Sequence, residues 1–89
     1  MRRTKTINQR FHAKRRARER FGLELNRQNL REIAGQIQNG KDARLLGQES
    51  LRLSHWMVSY QGTEMHAVYD KKRHQVVTFL PVGATFRQA

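Results

Sequence analysis

The chain has no cysteine and a single proline, Pro81. Without thiols there can be no disulfide staple, no thiolate zinc site and no cysteine nucleophile, and a reducing, cytoplasmic setting is the simple expectation. No apolar run approaches the ~20 residues needed to cross a bilayer, and the N-terminus lacks the apolar centre of a secretory signal. Internal repeats, low-complexity stretches and Pro/Ser-rich linkers are also missing, so the chain reads as one unit. Its arginine-rich, acid-poor start shares the composition of a transit peptide, but the patterned residues within it argue for a folded helix. Acidic residues are scarce: seven Asp and Glu stand against 18 Lys and Arg.

What is present is a basic domain of 89 residues with a formal charge of +11. A domain of this length buries roughly 60 to 65% of its unfolded surface, which places any site on the surface or in a shallow groove. Nine of the 18 basic residues fall in the first twenty positions, opposed there only by Glu19. Such a block attracts a polyanion through Coulomb steering and counterion release. A nucleic acid answers this charge best, and an acidic protein would answer it too. An anionic membrane fits poorly, because the segment offers few bulky apolar residues to insert.

Residues 1–9 are polar and basic without periodicity, which suggests a flexible arm. From Arg10 to Phe21 every residue tolerates a helix, and Gly22 offers a stop. Asn26 is a good N-cap for a second helix running through Gln38, with Asn39-Gly40 as its exit. Within that helix Leu30, Ile33, Ala34 and Ile37 form a buried stripe, while Arg27, Arg31, Gln36 and Gln38 mostly face away. After Lys41 the pattern becomes β-type. Strands are expected near Arg44 to Leu46, from Leu51 to Tyr60, from Glu64 to Tyr69 and from Gln75 to Leu80. Tight turns fall at Gln61-Gly62 and Asp70 to His74, and Pro81 ends the last strand. The predicted fold is α+β: two N-terminal helices packed on a three- to four-stranded antiparallel sheet. Residues 82–89 read as a loose tail.

On the first helix His12, Arg16, Glu19 and Arg20 share one stripe. Arginine offers a planar fork for two phosphate oxygens, histidine titrates near neutrality, and glutamate can orient either, so the stripe could hold a phosphodiester and move protons on it. An exposed helix with an internal Glu-Arg pair and a packed histidine fits the same residues. Lys14, Arg15 and Arg18 lie off the stripe as solvated charge or secondary phosphate contacts. The turn Lys71-Lys72-Arg73-His74 reads as a solvated loop able to touch a backbone phosphate. Trp56, Tyr60, Tyr69 and Phe79 are expected in the core rather than as stacking platforms. His55, His66 and His74 are spread over three strands, and no metal site or cofactor is expected. Glu49, Glu64 and Asp70 show no paired-carboxylate spacing.

The run His12-Ala13-x-x-Arg16-x-x-Glu19-Arg20, then a second helix, Tyr60-x-Gly62, Ala67-Val68-Tyr69-Asp70 and Val76-Val77-Thr78-Phe79-Leu80 resembles the small domains related to RelE-like and BrnT-like toxins. The resemblance spans roughly residues 11 to 81 and implies a single domain over 10–81. It also implies metal-independent RNA cleavage. His12 and Arg16 would then face sheet residues near Tyr60, His74 and Thr78, with His12, Arg16 and Thr78 as the catalytic set. An imidazole would take the ribose 2′-hydroxyl proton, arginines would stabilise the phosphorane, and a second donor would protonate the 5′-oxygen. Nucleic-acid contacts would come from Lys14, Arg15, Arg18, Arg20, Lys71, Lys72, Arg73 and His74, with RNA favoured over DNA. An acidic antitoxin-type protein is the partner such toxins imply. A non-catalytic nucleic-acid-binding or inhibitor module, of the kind used by phage or mobile-element regulators, remains the other reading of the same residues.

Overall fold

The computed structural model describes residues 5–88; the expected arm over 1–4 lies outside the described residues. Two helices, α1 (Lys5–Phe21) and α2 (Arg27–Asn39), precede four strands: β1 (Ala43–Gln48), β2 (Leu53–Tyr60), β3 (Thr63–Asp70) and β4 (Gln75–Leu80). The strands form one antiparallel sheet in the order β1-β2-β3-β4. This is the α+β architecture that the hydrophobic patterning predicts. Among the described residues, no helix is long and apolar enough to cross a membrane.

Helix α1 starts at Lys5, so residues 5–9 are helical rather than part of an arm. A long-range anchor helps hold the N-terminal part of the helix in place: the Gln9 amide donates to the Asp70 carboxylate at 3.1 Å and accepts from the Gln75 amide. At the other end Gly22 adopts φ 66° and the amides of Gly22 and Leu23 close back on the carbonyls of Arg18 and Ala17. A left-handed glycine is the least strained way to satisfy these last carbonyls. Helix α2 is capped reciprocally: the Asn26 side chain accepts from the Asn29 amide, and the Asn29 side chain accepts from the Asn26 amide.

The sheet has two unlike faces. On one, Ala13 and Ala17 of α1 and Leu30, Ile33, Ala34 and Ile37 of α2 pack on Val58, Tyr60, Met65, Ala67, Tyr69, Val76 and Phe79. Ala13 and Ala17 are fully buried, and their small side chains let α1 lie close against β4. Tyr60, Tyr69 and Phe79 are buried as the pattern predicts, with Trp56 packed at the edge of this core.

Turn chemistry sets the register. Gln61 and Gly62 both take positive φ, 50° and 76°, the backbone of a two-residue hairpin loop, and Tyr60 pairs with Thr63 across it. Residues 49–52 make a loop instead of extending β2, because the Ser50 hydroxyl accepts from the amides of Arg52 and Leu53. In the third turn Asp70 accepts from the amides of Lys72 and Arg73, which fixes the reversal into β4. The described residues after Pro81, 82–88, are not a loose tail: they return to the sheet's second face, where Phe86 and Gln88 approach Gly47 and Phe86 stacks on His55.

Candidate nucleic-acid interface

Burial of Ala13 and Ala17 turns the polar residues between His12 and Arg20 away from the core. His12, Arg15, Arg18, Glu19 and Arg20 are exposed, and Lys14 and Arg16 are half-buried. Several of these cations are already engaged. Arg16 donates to Glu19 at 3.0 Å, Arg18 lies 3.5 Å from Glu24, and the Lys14 ammonium sits 5.9 Å above the Phe11 ring. Arg20 donates through Nε to the carbonyl of Phe79 at 3.0 Å, which ties the end of α1 to β4. Lys14, Arg15, Arg18 and Glu19 do share one open depression with Glu24 and Leu25, but the two carboxylates dilute its charge. Partial burial and the neighbouring Arg16 and Arg15 lower the His12 pKa, with Glu19 opposing them, so its imidazole is neutral near pH 7.

The three residues of the expected catalytic set are not brought together. Thr78 pairs with Val68 while Val76 pairs with Tyr69, so Val77 is a one-residue bulge. With Val76 and Phe79 both in the helix-side core, the bulge sends Thr78 to the opposite face, away from His12 and Arg16. Strict alternation from Val76 would have pointed it towards the helices. Tyr60 is not a partner of α1 either. Its hydroxyl makes a very short hydrogen bond to Glu32 and accepts from Asn29 at 2.9 Å, both on α2. Burial and the Glu32 contact raise its pKa, with Asn29 opposing, so it stays a phenol.

A different constellation does converge. Between α2 and the β3–β4 turn runs a groove of about 310 Å³ lined by Arg27, Arg31, Arg73 and His74, with Leu30, Ala34 and Val76 as its apolar floor. Gln38 and Gln75 complete the lining, which among the described residues contains no carboxylate. Arg27 and Arg31 sit one helical turn apart and are exposed. Arg73 is held at 3.4 Å by the fully buried Asp70, which also receives Arg52 at 2.9 Å. Burial alone would raise the Asp70 pKa, but hydrogen bonds from Arg52, Gln9 and the Lys72 amide, together with the Arg52 charge, hold it below the usual carboxylate value. His74 takes φ 55°, which brings its ring to the rim. Lys71 and Lys72 project from the same turn into solvent.

The turn residues were visible in the sequence; the contribution of α2 was not. Arg27 and Arg31 read there as an outward face, and only the crossing of α2 over the start of β4 sets them opposite Arg73 and His74.

The sheet's second face holds a further cluster that residue spacing did not single out. His55 Nδ1 lies 2.7 Å from His66 Nε2, and His55 Nε2 lies 3.0 Å from Glu49 Oε1. Both rings are 1% exposed. The Phe86 ring stacks flat on His55, 3.7 Å between centroids and 3° between planes. The hairpin register was the available signal: a two-residue loop at Gln61-Gly62 sets His55 across from Val68 and His66 across from Met57, diagonal neighbours on one face. Two ligand nitrogens around one tetrahedral metal ion stand roughly 3.4 Å apart, given metal–nitrogen bonds of about 2.1 Å, so a 2.7 Å separation marks a shared proton. Among the described residues no group of three His, Cys, Asp or Glu side chains is arranged for a metal.

No protein-family model, curated protein or solved structure matches this chain.

Proposed function

We propose that this protein binds RNA without cleaving it, seating backbone phosphates in the groove between α2 and the β3–β4 turn. The observation that carries this reading is the convergence of Arg27, Arg31, Arg73 and His74 on one groove with no carboxylate among the described residues of its lining. Guanidinium groups from two elements can grip successive phosphate oxygens bidentately, and the neutral glutamines can supply further hydrogen bonds. Lys71, Lys72 and, on α1, Lys14, Arg15 and Arg18 extend the positive field beyond the groove. The resemblance to RelE-like and BrnT-like domains supports RNA as the polyanion. The ribonuclease reading draws less support, because His12 and Thr78 lie on opposite sides of the sheet.

The test is binding of a mixed-sequence RNA in EDTA, measured by fluorescence anisotropy at rising salt. A groove that neutralises about three to four phosphates should bind roughly 20- to 50-fold more weakly at about 200 mM salt than at about 50 mM. Replacing Arg27 and Arg31 by Ala should cost more than replacing Arg15 and Arg18. Affinity indifferent to salt would sink the proposal. RNA cleavage in EDTA that disappears in His12→Ala would reinstate the enzyme, and selective capture of an acidic protein with no RNA affinity would reassign the groove to a protein partner.

A further inference from the structure

The buried imidazole pair has a protonation limit built into its geometry. The 2.7 Å contact between His55 Nδ1 and His66 Nε2 requires one proton shared between those nitrogens. The outer nitrogens can each carry one more, and the Nε2 proton of His55 is received by Glu49. Three protons on two rings is therefore the ceiling, leaving one positive charge beside one carboxylate. A fourth would set N–H against N–H at that distance, between two cations that are 1% exposed. The contact cannot survive it.

Whichever ring moves, it is in contact with the tail. Phe86 lies flat on His55 and edge-on to His66 at 5.7 Å, and the tail side chains at Phe86 and Gln88 occupy the space that a side chain at Gly47 would fill. We infer that the Glu49–His55–His66 chain is a proton-operated latch, holding the segment after Pro81 against the sheet at neutral pH and releasing it on acidification. This is independent of RNA binding, since groove and latch lie on opposite faces of the sheet.

The surroundings of the pair agree with that direction. From β4, Thr78 and Leu80 lie opposite Val68 and His66 and carry no charge. On the same face Arg44 stands across from Met57 and Glu64 across from Ser59, both exposed, and Arg87 on the tail is exposed as well. Glu49 is the carboxylate in contact with the pair, and it faces His55, not His66. Burial, then the neighbouring His55, lowers the His66 pKa, so the closed form binds fewer protons than the open one. The latch is accordingly secure above the free imidazole value of about 6.5 and weakens as pH falls below it.

The experiment is an NMR titration of the full-length labelled chain from about pH 8 to about pH 5, spanning the histidine range. It follows the ring nitrogens of His55 and His66, the ring protons of Phe86, and amide protection factors. The Phe86 resonances should shift with the midpoint at which the pair takes its fourth proton. Below that midpoint, protection over residues 84–88 should fall by up to about tenfold per pH unit, while β3 stays protected. His66→Gln keeps an amide donor for His55 without a titrating ring, and should hold the tail closed throughout. Phe86 unmoved while both rings titrate, or unchanged pH dependence in folded His66→Gln, would overturn the latch. If that variant fails to fold, the wild-type titration decides alone.

Discussion

The two faces of one sheet are held by different physics. On the helix side Val58, Met65, Ala67 and Phe79 are completely buried among aliphatic side chains from both helices. That packing is non-directional, and its strength follows the apolar area removed from water. On the other side, alternate residues of the same strands bury His55 and His66 beneath a short tail segment, joined by directional hydrogen bonds and one aromatic stack. The first arrangement is indifferent to protons over the physiological range, while the second depends on their number. A single strand can therefore carry the fold on one side and a responsive element on the other, because its side chains alternate.

The largest blow to this comparison falls on the helix side. Phe79→Ala should cost about 3–5 kcal/mol in a denaturant titration, because it empties a fully buried site beneath both helices. A cost below about 1 kcal/mol would mean that this face is not the main core. Next comes the clamp at the sheet's end. Asp70→Asn leaves Arg52 and Arg73 without their carboxylate and should cost about 2–4 kcal/mol, less than a wholly buried pair because Arg52 is one-third exposed. Since the folded pKa of Asp70 is depressed, the wild-type contribution is fully present above about pH 4 and is lost as pH falls through the lower folded value. The variant should therefore show a flatter acid limb, in a range well below the histidine transition.

A smaller effect concerns charge. Replacing Arg27 and Arg31 by Ala should weaken RNA binding roughly tenfold across sequences and lower the salt slope by about 0.7 for each phosphate no longer neutralised, while leaving stability almost unchanged. Equal losses from Arg15→Ala and Arg18→Ala would return the interface to α1. The smallest change is Gly47→Ala, whose added Cβ would sit 2.7 Å from the Gln88 side chain and 3.1 Å from Phe86. It should loosen the tail at neutral pH, read as faster proteolysis after Pro81, with global stability shifted by less than about 1 kcal/mol. A tail that stays protected would show that Gln88 can move aside without disturbing Phe86.

Much of this architecture was legible because it is encoded locally. Helix α2 announces itself through Asn26, the Leu30-Ile33-Ala34-Ile37 stripe and Gly40, and the structure adds only that Asn29 answers the cap. The hairpin at Gln61-Gly62 and the range of β4 are local in the same sense. Illegible were the features that depend on a distant partner. The start of α1 at Lys5 is supported by Gln9 reaching Asp70 and Gln75, more than sixty residues away. The bulge at Val77 is a mismatch between two strands, invisible in either alone, yet it decides which way Thr78 points.

Composition and short-range pattern determined that this chain is a basic, cysteine-free α+β domain, because periodicity, caps and turns act within a few residues of themselves. Which cations meet, and on which face, only the tertiary structure decided. The crossing of α2 brings Arg27 and Arg31 to the turn that carries Arg73 and His74, and the returning tail seals the histidines. Both outcomes depend on long-range packing, to which neighbours in the chain are blind.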